Sequence, residues 1–173
     1  MHQVLGQIIA ALVGASVALS VVWLTHRATL ARSFQERRLN KLEELLDAVL
    51  KFSQQTQRLY DIALDVQVCS DPDEFDSRLR ELREQRLDTH SRIRLLSAVY
   101  FPEMQKIIDG MWQGIVDMYK QALRAGGGPK FSELELQEAF LATRNGSAQM
   151  RRMCIHEANR LLSQKSTIPT NEA

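Results

Sequence analysis

An uninterrupted apolar run near the start of the chain is the feature that most constrains what this sequence can fold into. Residues 4–24 read VLGQIIAALVGASVALSVVWL, with no charged side chain and one amide, Gln7. About 20 apolar residues at ~1.5 Å per residue cross a hydrocarbon core of ~30 Å, and a helix satisfies its own backbone polar groups there. The run therefore predicts a transmembrane signal anchor over residues 1–25.

Two other interpretations of this run stay open. A cleaved signal peptide has basic residues before a shorter apolar stretch, whereas Met1, His2 and Gln3 include no Lys or Arg. A buried helix of a soluble protein is the third interpretation. The length of the run and its flanking residues favour the anchor over both.

The residues that follow the run set the expected orientation in the membrane. Only Glu36 opposes a group of basic residues there, which are Arg27, Arg32, Arg37, Arg38 and Lys41. The positive-inside rule then predicts a single-pass protein of the inner (cytoplasmic) membrane, with its N-terminus outside and its C-terminal domain in the cytoplasm. Residues 26–38 become a basic juxtamembrane stalk, and we expect their cations to meet lipid headgroups.

Small residues recur every fourth position within the run, at Gly6, Ala10, Gly14 and Ala18. This spacing lets two helices approach closely in lipid, so it indicates a homo-oligomer or a membrane partner. The same spacing also arises by chance in spans that are rich in alanine.

Beyond the run, apolar residues recur at intervals of three and four, which is the period of a helix. The breaks fall at Pro72, at Pro102 and at the glycine-rich residues 126–129. The pattern predicts an all-α chain with helices over about residues 26–68, 72–99, 102–125 and 132–163. Because short connections make successive helices antiparallel, we expect an up-down-up-down four-helix bundle over residues 39–163, with the transmembrane helix continuing into it and a flexible tail at 164–173.

Three local patterns refine these helices. Ser132 with Glu135 three residues later is a capping box at the start of the fourth helix. Asn145-Gly146 is a point where that helix can kink or break. Arg86 interrupts the apolar stripe of the second helix, and we expect it at the edge of the bundle, with its aliphatic stem packed and its charged head in water.

The search for chemistry finds no catalytic constellation and no cofactor or metal site. Cys154, His156 and Glu157 come closest to a zinc set, but residues two apart on a helix point about 200° from each other, so the first two cannot chelate together. A net charge of +1 excludes a strongly basic nucleic-acid binder. The arginines of residues 78–94 alternate with acidic residues, which is typical of a solvated helix face.

Methionines and a tryptophan on the third helix, at Met111, Trp112 and Met118, form a possible partner surface. Their spacing is also that of core residues, which is the more common use of such a stripe.

Two short motifs carry a resemblance. They are RRLNKLEEL at residues 37–45 and VYFPE at residues 99–103. The layout is similar to a loose group of uncharacterised bacterial proteins that have one N-terminal signal anchor, a basic flank and a short helical cytoplasmic domain. The resemblance covers most of the chain and implies no activity, cofactor or functional residue.

The sequence thus favours a non-enzymatic, membrane-anchored scaffold or adaptor that presents a cytoplasmic helical bundle to a protein partner. Two alternatives belong to other functional classes. One is a membrane-active effector that oligomerises through its transmembrane span. The other is a bundle that senses a small molecule between its helices.

Overall fold

The described part of the chain is helical throughout. The computed structural model describes the backbone of residues 2–65, 72–125 and 131–166 and the side chains of residues 14–65, 73–125 and 131–163. Within these ranges there is no strand, and the elements are α1 (His2–Asp65), α2 (Pro72–Tyr100), a 3₁₀ turn (Pro102–Met104), α3 (Gln105–Ala125) and α4 (Glu133–Ser166). The predicted all-α class is confirmed.

The chain divides into two compact units, Met1–Leu39 and Asn40–Ala173. In the first unit the large apolar side chains from Val17 to Phe34 are exposed, and Leu39 is half-buried. Among the side chains that the structure describes, no helix combines the length and apolar character that a membrane crossing requires. Residues 4–13 of the predicted span lie outside these described side chains, as do the last residues of the predicted tail.

In the second unit, α1 runs antiparallel to α2. Gln55 Nε2 donates a hydrogen bond to the Gln85 carbonyl at 3.3 Å, and Arg92 meets Glu44 at 3.6 Å. As the residue number rises on α1, the residue number of its neighbour on α2 falls. On its other side α1 meets α4, where the rings of Tyr60 and Phe140 stack with their centroids 4.4 Å apart.

The remaining neighbours complete the bundle. Between α2 and α3, His90 stacks on Trp112 with ring centroids 4.0 Å apart. Between α3 and α4, the space beside Gly114 is filled by Ala139 and Thr143, and Gly146 lies against Met111. Each helix therefore packs against the next one along the chain, and α1 meets α4, which is the arrangement of a four-helix bundle.

The core consists of the stripes that the spacing predicts. Along the 3₁₀ turn and α3, for example, six residues at intervals of three and four are at most 2% exposed: Met104, Ile108, Met111, Ile115, Met118 and Ala122. On α4, five residues at intervals of four and seven are at most 3% exposed: Leu136, Thr143, Met150, Cys154 and Leu161. Burial of these faces supplies most of the stability of such helices, since isolated helices are marginal in water.

The start of α4 is capped as the Ser132 motif predicts, with one change. Ser132 Oγ accepts a hydrogen bond from the Glu135 amide at 3.3 Å. The Ser132 amide, however, donates to Gln121 Oε1 at 3.2 Å and not to the Glu135 side chain. Glu135 instead accepts a hydrogen bond from Gln121 Nε2 and lies 3.7 Å from Arg124. The capping box is therefore shared between α3 and α4.

Of the two alternatives at Asn145-Gly146, a kink or a break, the structure shows no break, because α4 is one continuous helix through both residues. A Cβ atom added at Gly146 would lie 2.5 Å from Met111 Cγ. Glycine at this position thus makes room for a side chain of α3, and it does not interrupt the backbone.

The expectation for Arg86 is wrong. The residue is 1% exposed and belongs to the interior of the bundle, with its charged head as well as its stem out of water. The physical reason is its register: Leu79, Leu82, Arg86, Thr89 and Ile93 follow one another at intervals of three and four, so position 86 faces the core whatever residue occupies it.

Candidate functional site

A groove of about 490 Å³ lies between α2 and α3. Apolar side chains dominate its walls, and they include Leu79, Leu87, Ile115, Val116 and Leu123. Three exposed basic side chains, Arg80, Arg83 and Lys120, line it together with the buried Arg86, against a single acidic residue in the lining, Asp76. Trp112 and Tyr119 complete the lining. The groove is thus apolar in its walls and positive in its net charge.

The guanidinium of Arg86 lies between two aromatic rings. Its central carbon is 5.3 Å from the centroid of the Tyr119 ring and 5.9 Å from that of Phe52. Nη2 donates a hydrogen bond to the Gln55 carbonyl at 2.6 Å. Stacking of a cation on aromatic faces and one strong hydrogen bond offset part of the cost of removing the charge from water.

Several polar atoms around Arg86 have no hydrogen-bond partner within the described ranges. They are Arg86 Nε and Nη1, together with the Tyr119 hydroxyl. Buried polar groups are hydrogen-bonded in the great majority of folded proteins, and each exception calls for an explanation. Here two N–H groups of one cation and one phenol share the same part of the bundle.

Burial lowers the pKa of Arg86 to about 10, and the negative charge that Tyr119 would carry as a phenolate acts against this change. Burial also raises the pKa of Tyr119, while the neighbouring Arg86 lowers it. At neutral pH the arginine is therefore protonated and the phenol neutral. The groove holds a permanent buried cation whose charge its nearest titratable neighbour does not neutralise.

Trp112 lines the groove, is half-buried, and stacks with His90. Burial and the charge of Arg94 lower the pKa of His90. The neutral imidazole is therefore the form that stacks on the indole at neutral pH.

A second feature is an apolar row on α4. Leu134, Leu141, Ile155 and Leu162 are 66%, 43%, 55% and 52% exposed, and the half-buried Ala148 continues their seven-residue spacing. At 100° per residue the members of this row lie about 100–160° around α4 from the neighbouring core residues, so the row is outside the core face. Exposed Arg144 and Arg152 flank the middle of the row, and Glu138 lies beside its first turns.

A third space, of about 640 Å³, lies between α3 and α4 and is lined mainly by polar residues. Its lining includes Gln121, Arg124 and Glu135, whose polar groups meet each other at the start of α4. These polar groups already bind one another across the two helices, so they are not available to a ligand.

The structure places the residues that the sequence singled out as follows. Met111 and Met118 are in the core, and Trp112 is half-buried, so the expected partner surface reduces to Trp112. Among the predicted transmembrane packing residues, Gly14 and Ala18 are exposed, and a Cβ added at Gly14 would meet no heavy atom within 4 Å. The side chains of Gly6 and Ala10 lie outside the described residues.

The basic residues of the predicted stalk fall into two groups. Arg27, Arg32 and Arg37 are exposed, and Arg27 lies over the Trp23 ring at 5.4 Å. Arg38 and Lys41 are half-buried, and Lys41 pairs with Glu44. Their contact with lipid remains a prediction.

Two features of the site were missed in the sequence, although both leave a signal there. The core register of Arg86 follows from the spacing of its neighbours, and the α4 row follows from seven-residue spacing on the outer face. Both depart from the usual pattern in which a helix has one apolar face and charged residues lie outside it.

Within the described part of the chain, no group of three or more His, Cys, Asp or Glu side chains is arranged to hold a metal ion. Compared with protein families, with curated proteins and with solved structures, the chain matches none of them.

Proposed function

We propose that this protein is a membrane-anchored, non-enzymatic adaptor whose helical bundle docks an amphipathic helix of a protein partner along α4. The observation that carries the proposal is the exposed row of Leu134, Leu141, Ala148, Ile155 and Leu162. Single exposed leucines are ordinary on a protein surface. Five apolar residues recur at one heptad position of α4, about 10 Å apart along the helix. Exposed apolar side chains that repeat on one side of a helix are candidates for an interaction surface.

The charge beside the row supports a particular partner. Arg144 and Arg152 are exposed on either side of its middle, and the one nearby acidic residue, Glu138, lies toward its start. A helix that lays an apolar heptad stripe on this row is therefore best matched when acidic residues flank its own stripe. A second copy of this chain fits less well, since it would bring two sets of arginines together.

The membrane anchor in this proposal rests on the sequence. An apolar run of the length that spans a bilayer, followed by basic residues, supports it. An anchor would hold the bundle at a membrane surface, where recruitment of a partner helix raises the local concentration of that partner.

The proposal is tested by purifying the tagged full chain from native membranes with its partner. Ile155→Glu places an acid in the row, and we expect it to lose the partner. Leu95→Glu is the matched control, because Leu95 is 66% exposed on α2 and outside the row. Thermal unfolding of both variants checks that the bundle is intact.

Charge reversal adds a second arm to this experiment. Arg152→Glu is expected to weaken the complex by roughly tenfold, since rim charges contribute modestly to affinity. Retention of the partner by Ile155→Glu, or its equal loss from Leu95→Glu, would show that the α4 row is not the docking surface. Recovery of the chain only as its own dimer would replace the partner helix with a second copy.

A further inference from the structure

The α2–α3 groove has the size of a small-molecule site. Its volume of about 490 Å³ falls within the range of about 300–1,000 Å³ that is usual for ligand pockets. Such pockets combine predominantly apolar walls with a few polar groups that fix the orientation of the ligand. The walls formed by Leu79, Ile115, Val116 and Leu123 and the polar pair Arg86 and Tyr119 match this description.

The polar pair specifies the charge of a ligand. Arg86 is 1% exposed, and its Nε and Nη1 have no hydrogen-bond partner within the described ranges. A guanidinium binds the two oxygens of a carboxylate through two adjacent nitrogens, either Nε with Nη2 or Nη1 with Nη2. Nη2 uses one N–H on the Gln55 carbonyl, and its second N–H completes such a pair with Nε or Nη1. The Tyr119 hydroxyl lies close enough to the guanidinium to interact with it and can donate a third hydrogen bond to the same group.

The remaining lining supports the same assignment. Arg80, Arg83 and Lys120 give the groove a positive charge that attracts an anion, and only Asp76 opposes them. A small inorganic anion would leave the apolar walls uncovered. A carboxylate with an apolar body satisfies both the cations and the walls.

We propose that the α2–α3 groove binds a small amphipathic carboxylate, with its head group on Arg86 and Tyr119 and its apolar body along the walls formed by Leu79, Ile115 and Leu123. The site is separate from the α4 row, so this proposal does not depend on the docking of a partner helix. Arg86 Nε and Nη1 are not accessible to solvent. A neighbouring side chain must therefore rotate before a ligand can reach them. Tyr119, whose ring lies 5.3 Å from the guanidinium carbon, is the best placed to move.

The test compares octanoate with octanamide, which has the same apolar body and no charge. Trp112 lines the groove and serves as a fluorescent reporter, and Trp23→Phe removes the second tryptophan of the chain. The full chain in phospholipid nanodiscs is titrated with each probe. We expect saturable binding of octanoate, and at least tenfold weaker binding of octanamide.

Two variants in the groove and one control localise the effect. Arg86→Met keeps the volume and removes the charge, and we expect it to weaken octanoate binding at least tenfold. Leu123→Glu places an acid at the wall on a residue that is 61% exposed, so it tests the site without disturbing the core. Arg144→Gln removes a cation on α4, outside the groove, and is expected to bind octanoate as the parent does.

The outcomes decide the proposal. Equal affinity for octanoate and octanamide, absence of saturable binding, or parental affinity in both groove variants would each overturn it. A series from hexanoate to dodecanoate then separates two sources of the carboxylate. Affinity that rises through dodecanoate supports a fatty acid released from lipid, and a maximum at the shorter chains supports a soluble metabolite.

Discussion

At the scale of single residues, Arg86 is the least expected element of this protein. A cation in the core loses its hydration, and the lowered pKa of Arg86, about 10, reflects that loss. Two aromatic rings and one carbonyl offset only part of the cost, because Nε and Nη1 have no hydrogen-bond partner within the described ranges. A residue held at such a cost in a well-packed core is more easily understood as part of a binding site than as a contributor to stability.

This interpretation predicts that Arg86→Met leaves the free energy of unfolding unchanged or raises it by about 1–3 kcal/mol, because an apolar side chain of similar volume needs no hydration. Urea denaturation of the parent and the variant measures the difference. Arg86→Lys keeps the charge but loses the aromatic stacking, and it should be less stable than the parent. A loss of more than 2 kcal/mol in Arg86→Met would show that Arg86 mainly stabilises the fold.

Cys154 leads to a second prediction at this scale. It is 1% exposed, and burial raises the pKa of its thiol to about 11. Since the thiolate is the reactive form, we expect Cys154 to react with a thiol reagent at neutral pH only after the bundle unfolds. A Cys69→Ser variant leaves it as the single thiol for this measurement. Fast labelling in the absence of denaturant would contradict the packing of α4.

At the scale of helices, the closeness of α3 and α4 depends on glycines that the helical pattern alone leaves unexplained. A Cβ added at Gly114 would lie 2.4 Å from Thr143 Oγ1 and 3.1 Å from the Ala139 carbonyl oxygen. The backbone oxygen cannot rotate away as a flexible side chain can. Gly110 is one turn earlier on the same helix, and a Cβ there would meet no heavy atom within 4 Å.

These two glycines form a matched pair. We expect Gly110→Ala to raise the free energy of unfolding by about 0.5–1 kcal/mol, because alanine favours the helix and no atom is displaced. We expect Gly114→Ala to lower it by about 1–3 kcal/mol, because the helices must separate to admit a methyl group. Chemical denaturation of both variants measures the sign of the change in the free energy of unfolding. The same sign for both would mean that α3 and α4 do not approach as closely as the structure shows.

The contact between α2 and α3 predicts a dependence on pH. Because the folded protein holds the pKa of His90 below its value of about 6.5 in the unfolded chain, the unfolded chain binds more protons as the pH falls through that value. The contribution of His90 to the free energy of unfolding is therefore fully present above about pH 6.5. It falls as the pH drops below that value, until the pH passes the pKa of His90 in the folded protein. Thermal unfolding between pH 5 and 7.5 should show this loss in the parent and a smaller one in His90→Gln.

His156 is the control for that experiment, since it is exposed on α4. His156→Gln should keep the pH dependence of the parent. An unchanged pH profile in His90→Gln would remove His90 as its source.

Some features of the helices follow from the spacing of residues in the sequence, and others do not. Spacing predicts the core stripes of α3 and α4 because a helix that is half in water has one apolar face. The same spacing contains the register of Arg86, but the charge of the residue argued against a core position. The role of Gly146 was beyond prediction, because it depends on Met111, whose place opposite α4 is decided only by packing between helices.

At the scale of the whole molecule, the two candidate surfaces lie on different helices and require different ligands. The groove between α2 and α3 suits a small carboxylate, and the row on α4 suits a partner helix. Occupation of the groove can change the affinity of the bundle for a partner helix. This requires that the small ligand binds the partner-bound chain and the partner-free chain with unequal affinity. Because the variants Arg86→Met and Ile155→Glu act on separate surfaces, each function can be removed without the other.

Docking of a partner helix on α4 can be observed by site-specific photo-cross-linking. A photoreactive residue at position 155 of the full chain is compared with one at position 95 in native membranes, since both positions are exposed on the bundle. We expect position 155 to cross-link to one protein, through a segment with apolar residues at heptad spacing and acidic residues beside them, and we expect no such cross-link from position 95. Cross-links from both positions to the same mixture of proteins, or from position 155 only to a second copy of this chain, would contradict this docking.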